Sequence, residues 1–206
     1  MKIYLQTIQL LQKVFLGISI LMMLALPLII AFKPNILRII GISNLYNISH
    51  ITIFFVMIVR PLADIFMQAK WIRPLVILRK GVGVLSASVV ASFIFSKIIM
   101  DPAGYLGSFA TVKYWSLQNL ALFAHLADIS AILLLITSNN FSKRILGDWW
   151  KRIQRLSYVY FYASSMYVLV ILGNKDYVIS IILVTALTLI AFIKNRQKAK
   201  LETQTI

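Results

Sequence analysis

The chain has 206 residues, of which 60% are hydrophobic and 13% charged, and it contains no cysteine. Soluble domains run at about 45–50% apolar and about 25% charged. A mean hydropathy of +0.86 therefore excludes a disordered chain, a coiled coil and an ordinary cytosolic enzyme, and implies an integral membrane protein. Without Cys there is no disulfide framework, thiolate metal site, Cys-ligated iron–sulfur cluster or cysteine nucleophile. The 21 basic and 6 acidic residues leave a net charge of +15. In a membrane protein this reads as positive-inside bias and attraction to a lipid bilayer with anionic headgroups, not as nucleic-acid binding.

A spanning helix needs about 20 mostly apolar residues. Six runs qualify in chain order, at about 14–32, 45–65, 81–100, 117–137, 156–172 and 177–193. Lys13 ahead of the first run resembles the start of a signal peptide. The run exceeds a signal h-region and lacks a small-residue cleavage site, so it reads as a span. Pro27 interrupts it. No matching break occurs in the second half, which weighs against an inverted-repeat transporter.

The cations orient the bundle. Lys2 and Lys13 precede the first span. Arg60, which closes the second run, counts with Lys70, Arg73, Arg79 and Lys80 of the loop before the third. Lys143, Arg144, Lys151, Arg152 and Arg155 lie between the fourth and fifth, and Lys194, Arg196, Lys198 and Lys200 follow the sixth. The opposite side holds only Lys33, Arg38, Lys97, Lys113 and Lys175. The expectation is an all-α integral membrane bundle of six transmembrane helices with both termini cytoplasmic. It forms a single domain, 1–206, with a short basic tail from about 194, in the cytoplasmic (inner) membrane of a bacterium.

An ionisable residue inside a span is costly and faces the bundle interior, which makes it a functional candidate. His125 and Asp128 in LFAHLADIS are three residues apart and share a helix face, and Gln118 continues the stripe seven residues earlier. A carboxylate beside an imidazole fixes its tautomer and raises its pKa, as a metal or haem ligand or a proton relay requires. The plainer reading is an interhelical hydrogen bond. His50, in NISHITIFF, is the other histidine, and His50 with His125 would form a two-histidine ligand set in the outer half of the bundle. No HExxH, GxSxG, P-loop or GxGxxG pattern occurs. Ser88, Ser92 and Ser96 recur every fourth residue on the third span and read as close helix packing. Tyr158, Tyr160, Tyr162 and Tyr167 give the fifth span an aromatic face. Trp71, Trp115, Trp149 and Trp150 read as interfacial belt residues, and Arg60 pairs with Asp64 as local anchoring.

Two segments go beyond generic composition: RPLADIF followed by WIRPLVILRKGVGV at 60–84, and LLLITSNNFSKRILGDWWKRIQRLSYVYF at 133–161. With six spans, they resemble the ferric reductase-like transmembrane domain family, in particular the haem-binding membrane subunits of periplasmic methionine sulfoxide reductase systems. Thr137-Ser138, Leu146-Gly147, Trp150, Lys151-Arg152 and Arg155-Leu156 stand where that family has a Thr-Ser loop, a Leu-Gly, a Trp and a basic run. Arg79, Lys80 and Gly83 stand where it has Arg-Arg and Gly. The resemblance covers about 59–168.

The resemblance implies haem b held between histidines of the third and fifth spans. It also implies electrons passing from a cytoplasmic flavin reductase to an extracytoplasmic acceptor, with the basic loops docking an acidic redox partner protein. In this chain the ligand positions are Phe93, Gln154 and Tyr167, and the third and fifth spans contain no histidine. The leading expectation is a divergent family member without the family's haem site, acting as a membrane subunit or scaffold. The alternatives are an electron-transfer subunit (oxidoreductase) with haem b relocated to His50 and His125, and a small proton-coupled transporter using His125 and Asp128.

Overall fold

The computed structural model describes residues 2–117, 120–173 and 175–204. All regular structure among them is helical: α1 Lys2–Phe32, α2 Pro34–Ile40, α3 Ile42–Ile65, α4 Ile72–Leu75, α5 Leu78–Met100, α6 Pro102–Ser108, a 3₁₀ turn at Val112–Trp115, α7 Ala121–Thr137, α8 Asn140–Leu146, α9 Asp148–Gln154, α10 Leu156–Leu172 and α11 Asp176–Gln204. Four helical segments are long and apolar enough to cross a membrane: Ile3–Phe32, Ile42–Ile65, Ile72–Met100 and Asp176–Lys198. The pair Ala121–Thr137 and Asn140–Leu146, bent by 95°, is a fifth candidate. Exposed Ile20, Leu21, Leu24, Ile179 and Ile182 give α1 and α11 apolar outer faces, which in water would be a liability and in lipid are required. The chain is a membrane protein.

The helices begin and end where local chemistry dictates. Asp101 caps α6, its Oδ1 accepting from the Gly104 amide at 2.9 Å, with Pro102 at the first helical position, where its missing N–H costs nothing. Asn139 caps α8 in the same way, accepting from the Ser142 amide at 2.7 Å. Gly147 at φ +50° separates α8 from α9, a backbone conformation that costs glycine little.

Helix α5 is the axis of the bundle and packs on α1, α3 and α7; α10 packs on α7 and α3, and α11 on α3. Small residues allow the approach. Ser86, Ala87, Ser88, Val89, Ala91, Ser92 and Ser96 are all buried. A Cβ on Gly81 would lie 2.9 Å from the Gln12 carbonyl and 3.1 Å from Phe15 Cβ, so only glycine lets α1 come this close. The repeat of serines carries packing, as its spacing implies. Ser88 and Ser92 return their hydroxyls to the carbonyls of Val84 and Ser88 at 2.8 and 2.7 Å. Ser92 also reaches the Met22 carbonyl of α1 at 3.3 Å.

A buried polar knot ties three helices together. Tyr160 of α10 is 1% exposed, and its hydroxyl lies 2.9 Å from Ser49 Oγ of α3 and 2.8 Å from Ser86 Oγ of α5. Ser86 Oγ donates to the Ser49 carbonyl at 2.8 Å. These bonds satisfy hydroxyls that would otherwise be stranded in an apolar interior. The aromatic face expected on α10 is therefore divided: Tyr160 is buried, while Tyr162 bonds Thr185 of α11 at 2.8 Å.

Candidate functional site

Four helices enclose a cleft near one end of the bundle. Tyr46, Ser49 and His50 come from α3; Val90, Phe93, Ile94 and Lys97 from α5; Ala124, Ala127 and Asp128 from α7; and Ser164, Tyr167 and Val168 from α10. Its volume is about 70 Å³, several times the ~10–15 Å³ that one water needs. Small side chains on α7 and α10 leave the space, and the polar groups face into it because the outer surfaces of these helices are apolar.

The cleft gathers four of the residues singled out from sequence: His50, Phe93, Asp128 and Tyr167. Phe93 stacks on Tyr46, with ring centroids 5.0 Å apart and planes 9° from parallel. Asp128 has no ion pair within 4.0 Å among the described residues, although Lys97 lines the same space. His50 sits against α10 and α11. Its Nε2 is 3.0 Å from Ser180 Oγ and its Nδ1 3.4 Å from Ser165 Oγ. Its ring packs on Tyr177 at 4.3 Å and on Phe161 at 5.8 Å.

His125 is not part of the cleft lining. Its ring lies against Tyr114, with centroids 3.2 Å apart and planes 10° from parallel. Phe109 and Trp115 complete an aromatic cap over it, at 6.3 and 6.0 Å. Within this cap burial pushes the hydroxyls of Tyr105 and Tyr114 above the usual tyrosine range, so neither supplies a charge at neutral pH. Gln118 lies outside the described residues.

Gln154 is placed elsewhere, on the loop side of the bundle. Its Nε2 donates to Thr137 Oγ1 at 3.3 Å, and Trp150 Nε1 donates to the Thr137 carbonyl at 2.9 Å. The Thr-Ser loop and the Trp-containing basic run that carried the family resemblance therefore touch. Arg79, from the other half of that resemblance, turns inward and donates to the Val56 carbonyl of α3 at 2.9 Å.

Haem b requires axial nitrogens aimed at a common centre. Both ring nitrogens of His50 already face serine hydroxyls, His125 lies outside the cleft lining, and Phe93 offers no ligating atom. The cleft lining therefore supplies one imidazole, not an axial pair, and at about 70 Å³ it is far smaller than the ~300–1,000 Å³ of ordinary ligand pockets. No group of three or more His, Cys, Asp or Glu suited to a metal ion occurs among the described residues. What the cleft can do is hold a few waters or a small polar group between a cation, a carboxylate and two tyrosines.

Sequence reasoning missed Lys97 and Tyr46 as members of this site. Lys97 carried a usable signal. It falls inside the third apolar run, and the rule that marks an intramembrane ionisable residue as functional applies to it as it does to Asp128. Tyr46 carried none, because a tyrosine near a span end is ordinary. Comparisons with protein-family models, curated proteins and solved structures find no match for this chain.

Proposed function

We propose that this protein is a membrane subunit or scaffold of the ferric reductase-like type that does without the family's haem. The observation that carries the reading is the position of Phe93 and Tyr167. These two family ligand positions, on different helices, line one cleft, as a shared ligand site requires, yet an aromatic stack of Phe93 on Tyr46 occupies that place. The contact of Trp150 and Gln154 with Thr137 adds support, since it joins the Thr-Ser loop to the basic run of the same segment. In this reading the polar cleft is retained as an internal, hydrated site, and the basic loops face the cytoplasm.

The same proposal has six crossings, by α1, α3, α5, α7, α10 and α11, with both termini cytoplasmic. Helices α7 and α10 have 17 residues each, about 25 Å of rise, a little short of the ~30 Å hydrocarbon core. Local thinning of the bilayer and flanking residues accommodate such a mismatch at modest cost. Because the chain has no cysteine, single cysteines introduced at Lys2, Lys151, Lys175 and Lys198 report sidedness without background. Labelling of the first, second and fourth from the cytoplasmic side, and of the third from outside, is the expected pattern.

The deciding experiment is purification in mild detergent from haem-supplied cells, followed by oxidised and reduced visible spectra and a pyridine haemochrome assay. A colourless, monodisperse protein is expected. A stoichiometric b-type spectrum that disappears on His50→Ala or His125→Ala would overturn the proposal in favour of an electron-transfer subunit with relocated ligands.

A further inference from the structure

We propose that the groove between the ends of α3, α4 and α11 is a binding site for the headgroup of an anionic phospholipid. The groove has a volume of about 470 Å³ and is lined by Arg60, Arg73 and Lys198, with Asn195, Met67 and Val76 beside them. One carboxylate, Asp64, also lines it. That carboxylate is already engaged, lying 4.0 Å from Arg60 Nε and accepting from Asn195 Nδ2 at 3.4 Å. Among the described lining residues three cations meet one carboxylate, a net positive lining that suits a phosphodiester.

The level of the groove in the bundle points to lipid. Helix α3 ends at Ile65, and the apolar run of α11 ends at Ile193. Lys194 Nζ then donates to the Ile65 carbonyl at 3.2 Å, which aligns the two ends. The groove therefore opens where the apolar surface stops, at headgroup depth. Ala63, Met67 and Val76 line it beside the polar groups. Phe66, next to Met67, and Trp71, two residues before Arg73, are 52% and 63% exposed. Exposed aromatic rings at this level suit the membrane interface. A free phosphate would use the cations and gain nothing from the apolar side chains, whereas a phospholipid uses both. Positive-inside bias alone accounts for cations at this end of the bundle, but not for their convergence on one groove that apolar side chains also line. Basic pockets between helices on the cytoplasmic side are where anionic headgroups bind. The inference rests on the proposed topology, with this end of the bundle cytoplasmic, and is independent of whether haem binds.

The test uses the full chain in nanodiscs of phosphatidylcholine containing a graded fraction of phosphatidylglycerol, with thermal unfolding and native mass spectrometry of retained lipid as readouts. The wild-type protein should retain phosphatidylglycerol over phosphatidylcholine, and its unfolding midpoint should rise with the anionic fraction. Arg73→Gln leaves the Arg60–Asp64 pair intact and should weaken retention about fivefold. Arg60→Gln with Arg73→Gln should weaken it roughly 25-fold, in line with the contribution of each cation near a membrane surface. Lys151→Gln with Arg152→Gln removes the same charge from exposed positions on α9 and should change retention less than about twofold. Equal loss in that control would show a diffuse surface effect and overturn the site. An equal thermal shift with inorganic phosphate alone would overturn the lipid assignment. If the double variant does not fold, Arg73→Gln against the control decides.

Discussion

Asp128 lines the four-helix cleft, while His125, one turn earlier on α7, lies with its ring against that of Tyr114 at 3.2 Å. Three helical residues differ by about 60° around the axis and about 4.5 Å along it. That is enough, at the mouth of a bundle, to put one side chain between helices and the other under the loop that closes them. No hydrogen bond reaches His125 Nδ1, so Asp128 does not pair with it there as a carboxylate–imidazole couple. His125→Ala should cost about 0.5–1.5 kcal/mol through loss of the stacked ring. Asp128→Asn should leave insertion intact. In a double-mutant cycle on unfolding in detergent, the coupling between them should stay below about 0.5 kcal/mol. A coupling well above that would restore the couple.

Tyr160→Phe removes only the hydroxyl that joins Ser49 and Ser86. Hydrogen bonds between membrane helices average about 0.6 kcal/mol and reach about 1.7. The upper half of that range is expected here, because two serine hydroxyls lose a partner in a buried knot. Reversible unfolding in mixed detergent measures it. Tyr162→Phe, at the exposed bond to Thr185, should cost less.

Gly81→Leu should separate α1 from α5. Even the Cβ would meet the backbone of α1 at 2.9 Å, and overpacking of this kind costs about 1–3 kcal/mol. Gly83→Ala is the control. Its Cβ would have ordinary contact with Val56 at 3.6 Å, and it should be neutral or slightly stabilising, since alanine favours helix over glycine by about 1 kcal/mol. A lowered melting temperature for the first and not the second is the expected result.

Phe93→His combined with Tyr167→His puts imidazoles at two positions that line one cleft. If the family resemblance reflects a shared scaffold, this variant gains a b-type spectrum in haem-supplied cells, at partial occupancy, and each single variant gains less. A folded double variant that stays colourless would count against the resemblance.

Trp150→Phe keeps the packing of the ring on the Lys143 ammonium, which lies 5.3 Å from its centroid, but loses the bond to the Thr137 carbonyl. The α8–α9 segment should open more often. Trypsin cleavage at Lys143, Arg144, Lys151 and Arg152 should accelerate about fivefold, the equivalent of ~1 kcal/mol for one hydrogen bond.

Much of this architecture is legible from composition and hydropathy alone. The membrane class, the helical content and the limits of several helices follow from runs of apolar residues, and the end of α10 at Leu172 and of α3 at Ile65 agree with the sequence reading. The packing role of Ser88, Ser92 and Ser96 is legible from spacing, and the Arg60–Asp64 pair from its i, i+4 separation. Each of these is decided within about twenty residues of chain. The start of α1 at Lys2, twelve residues before its apolar run, was not legible. Gln6, Thr7, Gln9 and Gln12 look like a polar lead-in, yet they extend a helix that packs along α5.

The tertiary structure alone decided which faces meet. Helix α10 is apolar or aromatic almost all round, so its sequence does not say that Tyr160 turns inward while Tyr158 and Met166 are more exposed. The rotation of each helix about its own axis is chosen by close packing, which depends on the shapes of neighbours from distant parts of the chain. For that reason Lys97, Phe93, Asp128 and Tyr167 share one cleft, and His125 falls under an aromatic cap. For the same reason Arg60, Arg73 and Lys198, which the sequence spreads between the second run and the tail, line one groove.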